Sequence, residues 1–288
     1  MGVASDDARV FAPDARREQA QGPWPAAMRA KLTGATQHLG RIASGLILPG
    51  LVLALWWTAS HRRWVPEQLL PAPPLVWQTL KDLWVSGDLL SNVAFSASRV
   101  GWSLGLGGSI GLTLGFGLAL SPTLRAYALP SFNVVSQFPV LGWVPLLIIF
   151  AGIDEALKIS AISIAAVVPV TLNTFRGVAN VPRALLEVAS VYRFSLPQLL
   201  WRVVLPAAAP SLFTGLRQAV MQAWLSLVFV ELLASSEGIG YLIVWGRQLA
   251  QPDLVVAGMV VIGGIGVLLD AGLRWLEGRL QGWRSPAF

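Results

Sequence analysis

None of the 288 residues is cysteine. A disulfide framework, a zinc–thiolate site and a thiol nucleophile are therefore excluded. Histidine is nearly as scarce. His38 and His61 are the only two, so imidazole metal sites and histidine bases have almost no material. Charge is sparse as well, at 12% of residues, where soluble domains carry about 25%. The three lysines, Lys31, Lys81 and Lys158, precede Leu32, Asp82 and Ile159. A phosphate-cradling P-loop needs Gly-Lys followed by Ser or Thr, so the chain cannot bind ATP through that motif. What is abundant is apolar surface, at 55% of residues, and the solvent that suits it is lipid.

A membrane-crossing helix needs about 20 mostly apolar residues. Six stretches qualify: 42–60, 100–124, 126–153, 159–175, 209–233 and 254–273. The expected fold is all-α, a polytopic membrane protein with six transmembrane helices. Six crossings put both termini on one side. On that side fall Arg9, Arg16, Arg17, Arg29, Lys31 and Arg41, then Arg125, then Arg176, Arg183, Arg193 and Arg202, then Arg274, Arg279 and Arg284. The opposite side has Arg62, Arg63, Lys81, Arg99, Lys158 and Arg247. Fourteen against six places both termini in the cytoplasm. Because the basic residues are parcelled among short loops, no nucleic-acid partner is expected. The stretch 42–60 starts late, runs long and lacks a small-x-small cleavage site, so it is expected to be retained rather than cleaved. Residues 1–40, with Pro13, Pro23 and Pro25, are expected to form a disordered cytoplasmic tail with a short surface helix near 26–38. Residues 41–284 are expected to form the transmembrane domain and 285–288 a C-terminal tail.

The second span carries glycine at 101, 105, 107, 108, 111, 115 and 117. The G-x-x-x-G pairs 101/105, 107/111 and 111/115 allow close backbone approach, which drives helix association in lipid. They serve packing within the chain or a seam between two copies, and the first is preferred.

The loop between the fourth and fifth spans, residues 176–217, is long and basic. Residues 183–192 suit one helix. Pro197 opens a second, and Pro206 is expected to close it. Two short helices with apolar faces either dock into a groove on a partner or lie on lipid headgroups.

This loop resembles the EAA loop of permease subunits from binding-protein-dependent ABC importers, with the pattern E-A-A-x3-G-x9-I-x-L-P. Here it falls on Glu187, Val188, Ala189, Arg193, Val203, Leu205 and Pro206, with the spacing intact. Arg193 stands where the family has glycine. A left-handed turn is expensive for arginine. Either the turn keeps ordinary backbone angles or the break moves to Ser195-Leu196-Pro197. The resemblance spans about residues 45–284 and is closest to the aliphatic sulfonate, taurine and nitrate branch. It is carried by FPVLGWVPLLIIFAGIDEALKI (138–159), VTLNTFRGVANVPRALLEVA (170–189), LPAAAPSLFTGLRQAV (205–220) and AWLSLVFVELLASSEGIGYLIVWGRQL (223–249).

The resemblance implies a type I ABC importer permease fold in the bacterial inner membrane. It implies a homodimer around a central path, two ATP-binding subunits and an extracytoplasmic solute-binding protein. This chain would bind no cofactor and perform no catalysis, ATP and Mg residing on the partner ATPase. The EAA loop, about 176–206, would couple to that ATPase through Glu187, Ala189, Ser190, Tyr192, Arg193, Phe194, Leu205 and Pro206. Glu187 contacts the ATPase or caps its own helix. The substrate implied is an aliphatic sulfonate or taurine, with nitrate, other small organic anions or a pyrimidine precursor as alternatives. A gradient-driven secondary transporter is the rival from another class, but no half-to-half repeat supports it.

Candidate path residues are Pro139, Trp143, Pro145, Asn173, Trp224 and Glu231. Prolines at membrane depth suit a bent, cavity-lining element. Arg217 and Glu231, fourteen residues apart and so about 21 Å along a helix, are too distant to pair. Arg217 is expected to reach the cytoplasmic edge, and Glu231 to sit at the outer gate. Arg99 and Arg247 either attract an anion or are simply solvated at the surface, and the second is preferred. Residues 235–253, with the turn Gly238-Ile239-Gly240, are expected to lead into a short apolar helix outside, beneath the binding protein.

Overall fold

The computed structural model describes residue 45 and residues 47–280. Regular structure among them is entirely helical. The expected N-terminal tail with its surface helix, and the C-terminal tail, lie outside the described residues.

The chain divides into two units, residues 1–62 and 63–288. Helix α1, Ile47–His61, belongs to the first and stands in the expected first span. At 1.5 Å per residue its 15 residues measure about 22 Å, less than the roughly 30 Å of a bilayer core. The rest of the expected span, 42–44 and 46, lies outside the described residues.

The second unit begins with α2, Pro73–Ser86, which ends at Gly87 with φ of 85°. That left-handed glycine reverses the chain straight into α3, Asp88–Leu120. Ser121 then caps α4, Pro122–Val135, by accepting the Leu124 N–H. After α5, Val140–Ala151, Gly152 turns the chain toward α6, Glu155–Ala179. Next come α7, Arg183–Val191, α8, Leu196–Leu199, a π-helical stretch Leu200–Val204, and α9, Leu205–Ala234. Helices α10, Ile239–Gln248, and α11, Pro252–Leu280, complete the unit.

Among the described residues four helical stretches are long and apolar enough to cross a membrane: α3, α6, the stretch Leu196–Gln248 that contains α9, and α11. The expected third span, 126–153, is not one straight helix. It is α4 and α5, set at 95° across a break of four residues or fewer. Pro139, at the N-terminus of α5, cannot donate the N–H that would carry α4 onward, whereas Pro130 and Pro145 lie inside their helices. With this bent pair counted as one crossing, the described residues hold up to five.

Helix α6 packs between α3 and α9. Added methyls show how closely. A Cβ on Gly107 would lie 2.5 Å from the Ser163 carbonyl oxygen, one on Gly111 2.8 Å from Val170, and one on Gly115 2.5 Å from Thr174. The pairs 107/111 and 111/115 are therefore spent on packing within the chain. Gly101 and Gly105 face open space in the chain alone. On the other side of α6, Gly215 of α9 lies against Asn173, and Gly177 against Ser211. Much of the remaining apolar surface, including Trp102, Ile149, Phe150 and Leu268, is exposed, as lipid-facing helices require.

Candidate functional site

The loop expected to couple folds as a helical hairpin. Helix α7 ends in a Schellman turn: the Phe194 N–H donates to the Ala189 carbonyl at 3.1 Å and the Arg193 N–H to that of Ser190 at 3.0 Å. Arg193 occupies the left-handed position with φ of 53°. Arginine thus takes the glycine conformation, and the alternative of ordinary backbone angles is excluded. Left-handed geometry costs a non-glycine residue about 1–2 kcal/mol. Two bonds compensate. Ala189 is buried, and Phe194 folds back over the groove between the arms, beside Leu185, Val203 and Pro206. Ser195 then opens the second arm with a capping box, its N–H donating to Gln198 Oε1 at 2.9 Å.

The second arm does not close at Pro206. It runs through the π stretch directly into α9, where the Leu205 N–H donates to the Leu200 carbonyl. The wider turn shifts the ladder, and Pro206, within the first turn of α9, has no N–H to leave unpaired. Glu187 and Tyr192 are solvent-exposed on the hairpin; Ser190 donates to the Glu187 carbonyl at 2.7 Å. Val188, Val191, Tyr192, Leu196 and Trp201 leave an apolar face uncovered.

A cavity of about 800 Å³ opens between α6, α9, α11 and the α4–α5 bend. Pro139 and Asn173 line it; Trp143, Pro145, Trp224 and Glu231 are not among its lining residues. Trp143 packs edge-on against Phe138, whose side chain does line it. Trp224 is buried in the helix core, its indole N–H donating to the Ile262 carbonyl at 3.3 Å. Arg217 lines the cavity too, but it is no lone cation reaching for an edge. It bonds Asp270 at 2.8 Å and Glu277 at 3.2 Å on α11.

Glu231, itself buried, sits in a second cluster, whose outer member Glu155 is half exposed. Arg99 Nη1 lies 2.6 Å from its Oε1. The same guanidinium forks onto both oxygens of Glu155, at 2.7 and 2.8 Å, and donates to the Glu237 carbonyl at 2.7 Å. Lys158 adds a 2.7 Å pair to Glu155. Arg99, expected at a solvated surface, is 3% exposed. The first turn of α10 is held by the same cluster: Gly238 donates to Asn92, Ile239 to Ser96 and Gly240 to Glu231, at 2.8, 3.0 and 2.9 Å. Orphan helix N–H groups are satisfied by side chains of other helices, with a carboxylate at the positive end of the dipole. Gly238, with φ of 109°, has no room for a Cβ between Glu231 and Arg99. The cluster was hidden in the sequence because its members lie on α3, α6 and α9; the only local hint was the Gly-Ile-Gly turn.

Apolar spans around a polar cavity, with an exposed helical hairpin continuous with one span, define a membrane transport subunit. The chain belongs to the family described as binding-protein-dependent transport system inner membrane component, whose profile matches residues 107–282. Among its relatives is SsuC of Bacillus subtilis (strain 168), provisionally named an aliphatic sulfonates transport permease protein. It is 37% identical over 84% of this chain and 87% of that protein. The taurine transport system permease protein TauC of Escherichia coli (strain K12) is 32% identical over 82% and 87%. The bicarbonate transport system permease protein CmpB of Synechococcus elongatus is 32% identical over 70% and 68%. The fold matches a chain of the inward-facing MetNI methionine ABC transporter with a TM-score of 0.51, at 14% identity, over 73% of this chain and 99% of that one. This is the type I ABC importer permease fold.

Proposed function

We propose that the chain is the permease subunit of an ATP-driven importer for a small organic anion, an aliphatic sulfonate or taurine. It crosses the bacterial inner membrane six times, with α1 as the first crossing and the α4–α5 pair as the third, and both termini are cytoplasmic. Two copies pair around the path. Each offers its α7–α8 hairpin to a separate ATP-binding subunit that carries ATP and Mg, and a binding protein delivers the solute from outside. The chain itself binds no cofactor and breaks no covalent bond.

The observation that carries this proposal is the hairpin. Its apolar face is uncovered, its turn is fixed by two backbone bonds, and it continues into a membrane-length helix without a loop. A helical face of this kind suits docking into a partner's groove. The substrate class is supported by the names of SsuC and TauC, each covering more than four fifths of this chain.

The test is the native mass and composition of the complex, purified gently from its host, with ATP hydrolysis assayed on the same sample. Two permeases with two ATPases and vanadate-sensitive turnover are expected. A particle without an ATPase, together with uptake that follows an ion gradient in the absence of ATP, would overturn the importer in favour of a secondary transporter.

A further inference from the structure

Polar side chains on α6 and α9 share the wall of the cavity with apolar ones such as Leu172 and Met221. On α9, Thr214, Gln218 and Gln222 recur every four residues and so share one face, covering about 12 Å of helix. On α6, Asn173 and Arg176 face the same space. Asn173 Nδ2 donates to Gln218 Oε1 at 2.9 Å. That bond holds the Gln218 carbonyl and leaves its NH2 group unpaired among the described residues. Gln222 has no partner there either.

The charges lining the cavity, Arg176 and Arg217 against Asp270 and Glu277, are equal in number but unevenly paired. Asp270 accepts from Arg217 on Oδ1 and from Arg274 on Oδ2, at 2.8 and 2.6 Å, while Glu277 takes the other Arg217 nitrogen. Both lining carboxylates are engaged. Arg176, the other lining cation, has no acidic partner among the described residues. One free guanidinium therefore stands at one end of a track of amide donors.

The geometry points to a transit site for a small sulfonate or similar oxyanion on this wall, with Gln222 and Gln218 as neutral donors that pass it along and Arg176 as the charge that receives it at the cytoplasmic end. Sulfonate oxygens only accept hydrogen bonds, and five N–H donors of a guanidinium match them. A single unpaired cation attracts an anion without trapping it, as a transit site requires. The cavity volume, about 800 Å³, lies within the usual range for small-ligand sites of about 300–1,000 Å³. Arg176 also stands in the last turn of α6, just before the hairpin. The assignment rests on the anion-importer proposal but is tested without ATP or any partner.

The chain has no cysteine, so Met221→Cys, on the cavity lining, is a unique reporter in the full-length protein in membranes. It is treated with sulfonatoethyl methanethiosulfonate and, separately, with the cationic trimethylammonioethyl reagent. The anionic rate, divided by the cationic rate, should fall at least about fivefold when Arg176→Gln is added, and Arg176→Lys should restore most of it. Methanesulfonate should slow the anionic reaction with Arg176 present and not with Arg176→Gln. An unchanged ratio overturns the assignment, as does failure of both Met221→Cys and Leu225→Cys to react with either reagent. Loss of the importer proposal would instead show in the composition and ATP turnover of the complex.

Discussion

Arg99 Nη1 and Glu231 Oε1 are 2.6 Å apart, 132 residues apart in sequence, and both side chains are almost wholly buried. Removing Glu231 leaves the buried Arg99 with Glu155 alone and the Gly240 N–H without its acceptor, a loss of up to about 3–5 kcal/mol. Glu231→Ala should therefore sharply reduce thermal stability of the purified permease. The loss should also exceed that of Ser96→Ala, which removes a neutral partner. Equal melting temperatures for Glu231→Ala and wild type would show that the pair does not hold α10 in place.

The glycine stripe separates two kinds of position. Gly111→Val places side-chain atoms where Val170 already is, so α3 and α6 must part, and overpacking of this kind costs typically 1–3 kcal/mol. Gly105→Val meets nothing in the chain and should keep the monomer's stability. Comparison of melting curves for the two variants checks this directly. A loss of pairing in Gly105→Val alone would show that the second face of α3 contacts the other copy.

Arg193→Gly should stabilise the hairpin. The turn already has the glycine conformation, and relief of its left-handed strain is worth about 1 kcal/mol. Hydrogen exchange of the Phe194 amide, which closes the turn on Ala189, should slow. Faster exchange would mean that the arginine side chain contributes more than its backbone strain costs.

Thr171 and Thr174 bury their hydroxyls without a hydrogen-bond partner among the described residues. Replacing an unsatisfied buried hydroxyl by a methyl of the same shape should raise stability, by about 1 kcal/mol for Thr174→Val. A lower melting temperature would place a partner at that hydroxyl, such as an enclosed water.

Glu187→Lys should leave membrane insertion intact and weaken association with the ATP-binding subunit, because Glu187 is exposed on the hairpin. Co-purification and uptake at wild-type levels would remove Glu187 from the coupling surface.

The helical architecture was legible because lipid imposes a length and composition that local sequence must meet. Arg183–Val191 falls almost where the 183–192 stretch suggested, since its apolar spacing is a local property. The 95° bend was foreshadowed by prolines, but which of the three breaks the helix depends on neighbours. Arg99 could not be placed. A lone arginine near a span edge reads as solvated, and only folding reveals Glu155 and Glu231 on two other helices. Distance along one helix rightly ruled out an Arg217–Glu231 pair, yet it was silent about Asp270, 53 residues on. The π stretch escaped notice because Pro206 normally signals a stop, and its tolerance depends on a shifted ladder invisible in composition.

That π stretch has a mechanical consequence. A flexible joint after α8 would let the hairpin swivel while the span stayed still. Leu200–Val204 is helical rather than a loop, and helical turns follow one another from Leu196 to Ala234, with only Pro206 and Pro210 lacking an N–H to donate. Torque applied to the short arm must travel up α9 as through a crankshaft, arriving first at Gln218 and Gln222 and last at Glu231, where the shaft is bolted to α3 and α10.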